Sequence, residues 1–152
     1  MDTTKTKGSI DIEVVRDGKV VLKKTVFNGI TNAGFAAMAG LVGNTGAISA
    51  FTYLAVGTSS TAFSAGQTAL IGEISTNGLS RVAATVSRVT TTQTNDTLQL
   101  TYTFTVSGTS TIEEIGAFNA ASSGIMLGRA LTSTIALVNG DSLTMTYKFK
   151  FS

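Results

Sequence analysis

Strict alternation of apolar and polar residues in two segments most constrains the fold of this chain. Apolar side chains occupy every second position from Leu143 to Phe151, with threonines and lysines between them. The segment from Leu98 to Val106 repeats the pattern, with threonines and a glutamine between. Successive side chains of a β-strand point to opposite faces, so this period of two predicts strands with one buried face. We therefore expect one side of each segment, Phe151 included, to line a core.

Turn signals divide the rest of the chain into further strands. Asp17-Gly18, Asn95-Asp96 and Asn139-Gly140 each separate two strand-like segments. Such pairs adopt positive φ readily and favour tight hairpins. We predict three hairpins and two more strands, at the following positions: Ser9–Arg16 with Lys19–Val26, Arg81–Thr92 with Leu98–Val106, Arg129–Val138 with Leu143–Phe151, and separately Phe51–Val56 and Glu113–Asn119.

One segment departs from the strand pattern. Phe35, Met38, Ala39 and Val42 follow one another at helical spacing and predict a short helix near residues 31–43 that packs through this apolar face. Thr31 or Asn32 suits its N-cap, and Gly43 suits a left-handed end. We expect the helix to cover an open end of the sheet structure.

These elements predict an all-β protein. The chain has 152 residues, of which 43% are apolar, enough for one domain with a sizeable core. The regular spacing of short strands, with no βαβ rhythm, predicts an antiparallel β-sandwich, jelly-roll-like, of about eight strands. We expect residues 1–152 to form a single β-sandwich domain.

The residues that are missing argue against an enzyme. The chain contains no His, Cys, Trp or Pro, so it lacks the commonest general base, the commonest metal ligands and any disulfide. Glu113 and Glu114 are adjacent and would point to opposite faces of a strand. The Gly-rich segments lack the Lys-Ser/Thr ending of a phosphate-binding loop. We predict no catalytic, cofactor-binding or metal-binding residues.

Charge is concentrated near the N-terminus. Residues 1–26 form a charged hairpin that is either an arm projecting from the body or its most exposed edge. Three of its four acidic side chains, Asp11, Glu13 and Asp17, are interleaved with the basic ones and disfavour a nucleic-acid site. We predict that this segment binds a protein partner through its six basic residues: Lys5, Lys7, Arg16, Lys19, Lys23 and Lys24.

The middle of the chain carries little charge. Between Phe27 and Tyr147 there are only eight charged residues, and Thr, Ser, Asn and Gly dominate the polar positions. A surface of this kind suits a protein packed among neighbours, and it equally suits exposed strands that favour threonine. Residues 1–9 resemble no signal peptide, and Phe35–Val42 is too short to span a membrane. We expect a protein made in the cytoplasm that binds no membrane.

Several segments, taken in order, resemble a known group. They are Asn28–Gly34, Phe51–Thr58, Gln67–Leu70, Ile112–Asn119, Met126–Arg129 and Asn139–Thr144. In this order the chain is similar to small virion proteins of tailed bacteriophages, described as head-decoration or tail-fibre-like proteins. The similarity runs from about Ser9 to the C-terminus and depends on the order of the segments, because each is made of common residues.

The resemblance implies a virion structural protein without catalytic residues. A single short chain favours a capsid decoration (cement) protein that binds and stabilises the shell of major capsid protein, as a homotrimer on the capsid surface. The alternative is a tail or tail-fibre component that binds a host receptor or carbohydrate. A sugar-binding module usually presents exposed aromatic residues, and the chain has no Trp.

Overall fold

A computed structural model of the protein describes residues 6–151, with side chains from Gly8 to Phe151. Nine strands and one helix follow one another within residues 6–151. They are β1 (Thr6–Arg16), β2 (Lys19–Ile30), α1 (Asn32–Gly43), β3 (Tyr53–Gly57), β4 (Val82–Ala83), β5 (Thr85–Val89), β6 (Thr97–Thr105), β7 (Ser110–Phe118), β8 (Met126–Leu137) and β9 (Ser142–Phe151).

The nine strands form one antiparallel sheet that nearly closes on itself. Its order is β4-β3-β7-β8-β2-β1-β9-β6-β5. The two end strands, β4 and β5, are separated in the chain by Ala84 alone. The sheet therefore curves round into a barrel-like body with two facing halves. The predicted all-β antiparallel fold with one short helix is confirmed, with nine strands where about eight were expected.

Strand β2 joins the two halves of the sheet. Its first part pairs with β1, from Lys19 opposite Arg16 to Phe27 opposite Ser9, and its last three residues, Asn28–Ile30, pair with β8. The inner faces of the two halves meet in one apolar core. The large, fully buried apolar side chains of that core include Ile10, Ile12, Val14, Leu100, Phe104, Leu143, Met145, Tyr147 and Phe149 from one half, and Leu54, Val56, Ile112, Ile115, Leu127, Ile135 and Leu137 from the other.

The two alternating segments form strands with one inner face as predicted, although Leu98 and Tyr102 are only partly buried and one end departs from the pattern. Leu143, Met145, Tyr147 and Phe149 are buried on one face of β9, and Leu100 and Phe104 on one face of β6. The expectation that Phe151 is buried is wrong, because 47% of its surface is exposed. It pairs with Thr6 at the open end of the sheet, beyond the reach of the facing half.

Two of the three predicted hairpins are present. Arg16 lies opposite Lys19 across Asp17-Gly18, and both turn residues have positive φ, 52° and 75°. Strands β5 and β6 also pair, across a loop of residues 90–96.

The predicted hairpin at Asn139-Gly140 is wrong. Strand β8 pairs with β7 and β2, whereas β9 pairs with β1 and β6, so this turn crosses from one half of the sheet to the other. Its backbone binds the end of β6: Gly140 donates to Val106 O at 2.8 Å, and Val106 donates to Asp141 O at 2.9 Å. Alternation fixes which face of a strand is buried, but it does not fix the neighbouring strand.

Helix α1 lies over β8 with a different face from the one predicted. Thr31 is its N-cap and accepts from the Gly34 amide at 2.8 Å, while its hydroxyl donates to Met126 O at 2.6 Å. The left-handed residue at the other end is Asn44, not Gly43. The buried helical residues are Gly34 and Ala37, whose small size permits close approach to β8.

The predicted packing face of α1 therefore looks outward in large part. Phe35 is 52% exposed and Val42 91% exposed, and Ala39 is exposed as well. Only Met38 of the predicted set packs partly against the core. Glycines and alanines fit the narrow space above β8, so the large side chains remain on the outer side.

Candidate interaction surfaces

The six basic residues predicted to bind a partner are spread over different surroundings. Lys5 lies outside the described residues, and Lys7 is in β1 opposite Lys150. Lys19 and Lys23 are exposed on β2. Successive side chains of a strand point to opposite faces, so Lys24 points away from the face that carries Lys23. It is half-buried and donates to Thr132 O. The described members of the set therefore do not form one basic patch.

Arg16 has an internal partner. Its guanidinium donates to both carboxylate oxygens of Asp141, with Nε and one terminal nitrogen each 2.8 Å from an oxygen. Asp141 is fully buried and also accepts from the Val138 amide at 2.9 Å. The hydrogen bonds from Arg16 and Val138 hold the pKa of Asp141 below its usual range, against the opposing effect of burial. This pair attaches the β1–β2 turn to the turn between β8 and β9.

The N-terminal hairpin is built into the body over its described residues. Strand β1 lies between β2 and β9, and its inner side chains Ile10, Ile12 and Val14 are fully buried in the core. The description of residues 1–26 as a projecting arm or an edge does not fit this placement. Loss of β1 would also leave β2 and β9 without a shared neighbour.

A buried ion pair that the sequence did not reveal lies on the outer side of β7 and β8. Glu114 and Arg129 are both fully buried, and Arg129 Nε donates to Glu114 Oε2 at 2.6 Å. Arg129 also donates to Thr61 O at 2.8 Å and to Ser59 O at 3.3 Å. Glu114 accepts from the Gly72 amide at 2.7 Å and from the Ile71 amide at 3.2 Å.

This pair anchors the long connection between β3 and β4. The connection comprises residues 58–81 and lies over the outer face of the sheet, where Leu70 joins Ala55, Phe118 and Met126 in a second small core. Each charged group is occupied by backbone partners, so neither is available to a substrate. The only signal in the sequence was a charge at each position, in strands otherwise rich in apolar residues, and it did not identify the partner.

A second ion pair closes the same connection at its far end. Arg81 donates to both carboxylate oxygens of Glu73, at 2.8 Å and 2.7 Å. It also donates to Ala120 O at 3.1 Å and to Ser123 O at 2.7 Å, and its guanidinium lies 3.6 Å from the centre of the Phe118 ring. The contacts hold the chain between β7 and β8 against the connection, which is a structural role.

The charges of the middle of the chain are almost all engaged internally. Besides the pairs of Glu73, Glu114 and Asp141, Asp96 accepts from three backbone amides at 2.9 Å, and Glu113 accepts from the Thr134 hydroxyl at 2.6 Å. Arg88 is exposed and forms no ion pair or side-chain hydrogen bond with the described residues. The outer surface contributed by the middle of the chain thus offers little free charge.

Large apolar side chains are exposed on that surface. They occur on the helix, in the long connection, on the edge strand β5 and in the turn after β8: Phe35, Leu41, Val42, Ile71, Val86 and Val138. Protein interfaces are depleted in charge and enriched in aromatic and aliphatic side chains at their centres. Low free charge together with exposed apolar groups is typical of a surface that contacts other proteins.

A groove of about 590 Å³ opens on the outer face of the half of the sheet that contains β1 and β9. Its lining includes Asp11 of β1, Phe27 and Asn28 at the end of β2, and Lys148 and Lys150 of β9. Thr91 and Thr97 close it on the side of the β5–β6 loop. Lys148 and Lys150 give the groove two cationic groups.

The described residues contain neither a metal-binding cluster nor a membrane-spanning helix. Between residues 6 and 151, no three His, Cys, Asp or Glu side chains lie together as a metal site. The same part of the chain has no helix of the length and hydropathy needed to cross a membrane.

Comparisons with known proteins give no assignment. The chain matches no protein-family model, no curated protein and no solved structure. The function therefore has to be argued from the surfaces described above.

Proposed function

We propose that this chain is a structural protein of a bacteriophage virion, a capsid decoration protein that binds the shell of major capsid protein without catalysing a reaction. The proposal rests on one observation, which is that the charged side chains in the middle of the chain bind other groups of the same protein. Seven of the eight charged residues between Phe27 and Tyr147 engage other groups of the protein, while large apolar side chains stay exposed.

This combination suits permanent contact with protein neighbours. Ion pairs and capping bonds to Asp96, Asp141 and Glu114 rigidify loops without presenting charge to the outside. An uncharged outer surface meets a neighbouring protein with little desolvation penalty. Contacts repeated over a shell act by mass action, since each bound copy stabilises the assembled state. A homotrimer at the capsid surface is part of the proposal.

Binding to phage heads tests the proposal directly. Purified protein is mixed with heads that lack it, and the bound fraction is measured after sedimentation. We expect saturable binding and a higher temperature of head rupture. Absence of binding to heads would overturn the decoration role.

Matched surface variants locate the contact. Val42→Asp and Val86→Asp place a charge on the apolar surface, whereas Lys19→Gln removes one at the hairpin turn. Because all three positions are exposed, each variant is expected to fold. The proposal expects at least one aspartate variant to bind heads much more weakly than Lys19→Gln. Equal binding by all three would contradict a role for this surface.

Immunogold labelling of intact particles distinguishes the two locations in a virion. Label over the head supports decoration. Label confined to the tail would replace it with a tail or tail-fibre role.

A further inference from the structure

The groove beside β1 has an excess of positive charge. Lys148 Nζ lies 3.6 Å from Asp11 Oδ2, while Lys150 has no acidic partner among the described residues. Asp96 lies on the loop between Thr91 and Thr97. Its carboxylate oxygens accept hydrogen bonds from the amides of that loop and from the Thr97 hydroxyl, and these bonds lower the pKa of the carboxyl group. A negatively charged ligand group is therefore favoured near Lys150.

An aromatic ring stands at the wall of the groove. Phe27 is 75% exposed, although it lies within a paired strand of the sheet. Its position on β2 alternates with Val26, which packs against the core, so the ring projects on the outer face. An exposed ring beside a polar groove offers an apolar face on which a flat or ring-shaped ligand can stack.

The hydroxyl of Ser9 and the carboxylate of Asp11 supply hydrogen-bonding groups to the remaining lining. Asp11 presents carboxylate oxygens, of which one accepts from Thr25 at 2.6 Å, and it can accept further from ligand hydroxyls. The side-chain amide of Asn28 does not serve the groove, because Asn28 alternates with Phe27 along β2 and its amide is buried near Tyr147 on the core side of the sheet.

We propose that this groove binds an acidic saccharide. The carboxylate of the sugar pairs with Lys150 and Lys148, a face of the pyranose ring stacks on Phe27, and ring hydroxyls donate to Asp11. The volume lies within the range of about 300–1,000 Å³ that is usual for small-ligand sites. The inference does not depend on the role in the capsid, because the groove is lined by residues other than the exposed apolar side chains on which that role rests.

The same features favour a saccharide over an acidic peptide. Each ring of a saccharide carries several hydroxyl groups, and these can donate to Asp11 while the sugar carboxylate pairs with Lys150. The exposed phenyl ring also suits the apolar face of a sugar. The experiment therefore has to distinguish binding of an acidic saccharide from binding of an acidic peptide.

The experiment measures binding to the purified full chain by calorimetry and by amide chemical shifts. The probes are trigalacturonic acid, neutral galactotriose and a hexapeptide of glutamates. We expect saturable binding of trigalacturonic acid that weakens as salt is raised from about 50 to about 300 mM. Because the neutral sugar lacks the ion pair, its affinity is expected to be lower by about tenfold or more.

Matched variants connect the binding to the groove. Phe27→Ala and Lys150→Gln are each expected to weaken trigalacturonic acid binding by about tenfold, the factor expected for loss of one charged or stacking contact. Phe35→Ala and Lys19→Gln remove an exposed aromatic and an exposed lysine outside the groove and are expected to bind as the unaltered chain does. Circular dichroism confirms that all four variants are folded.

Three results would overturn the proposal. They are no binding of trigalacturonic acid, equal binding of the neutral sugar, and binding that Phe27→Ala and Lys150→Gln leave unchanged. Preferential binding of the glutamate peptide in the groove would replace the saccharide with a protein partner. Binding to phage heads is measured in a separate experiment, so a lack of saccharide binding would not contradict the decoration proposal.

Discussion

At the scale of single residues, the buried pair of Glu114 and Arg129 holds two parts of the chain together. Removing two charges from water is costly, and their attraction offsets this cost only when the remaining donors and acceptors are satisfied. Here the backbone of residues 59–72 supplies those partners. The pair consequently couples the sheet to the connection between β3 and β4.

Loss of Arg129 is expected to be severely destabilising. Arg129→Met leaves the carboxylate of Glu114 buried without its counter-ion and frees two carbonyl oxygens of the connection. We expect the free energy of unfolding in urea to fall by about 3–5 kcal/mol. Arg88→Met, at an exposed arginine that has no partner among the described residues, is expected to change it by less than about 0.5 kcal/mol. Similar stability of the two variants would show that the buried pair does not hold the connection.

The ion pair of Asp141 with Arg16 predicts a defined dependence on pH. Because the folded-state pKa of Asp141 is lowered, its contribution to stability is present above the unfolded value of about 3.9 and is lost as pH falls through the lower folded-state value. Asp141→Asn removes this contribution. We expect the variant to be less stable than the unaltered chain at neutral pH, with a difference that shrinks below about pH 4. Urea unfolding across this range measures it, and a difference independent of pH would contradict the assignment.

At the scale of elements, the β1–β2 hairpin depends on a glycine at its turn. Gly18 has a φ of 75°, and a Cβ at this position would meet no atom within 4 Å, so only backbone strain opposes a side chain. We expect Gly18→Ala to lower the free energy of unfolding by about 1–2 kcal/mol. Gly66→Ala is the control, because Gly66 has equally open surroundings without a positive φ, and it is expected to be close to neutral or slightly stabilising. Equal effects would indicate that the hairpin tolerates another turn type.

The elements that were predicted correctly are those whose signal is local. Alternation along β6 and β9 reflects burial of one face, and the Asp17-Gly18 turn reflects backbone preferences of its own two residues. The turn at Asn139-Gly140 has the same local signal, but its backbone partner is Val106, far away in the chain. Local preference identified a turn there and could not show that it connects opposite halves of the sheet.

Long-range packing also explains the errors on the helix and at the candidate sites. The helical spacing of Phe35 and Val42 predicted a buried face, yet the space above β8 admits only the small residues Gly34 and Ala37. The groove beside β1 could not be predicted, since it combines Phe27 with Lys148 and Lys150 from the other end of the chain. Each of these features depends on contacts with residues that are distant in the sequence, which local sequence patterns do not specify.

At the scale of the whole molecule, strand order determines which parts are separable. The N-terminal segment looked separable because its charge differs from that of the body. In the fold, β1 is a central strand and β2 joins the two halves, so both are required to complete the sheet. An attachment role for this segment consequently has to be tested by side-chain changes that leave the strands in place.

Deletion of residues 1–26 is therefore expected to unfold the protein. It removes the buried side chains of Ile10, Ile12 and Val14 and exposes the edge of β9 to solvent. Burial of each such side chain contributes about 1.5–3 kcal/mol, so the loss of three approaches the total stability of a typical domain. We expect circular dichroism to show no cooperative thermal transition and sedimentation to show aggregation through the exposed edge. Lys19→Gln combined with Lys23→Gln alters two of the predicted partner-binding residues while retaining the hairpin, and this variant is expected to unfold cooperatively. A deletion variant that remains folded would show that the body does not need β1. Only in that case could weaker binding of the variant to heads be attributed to the missing lysines.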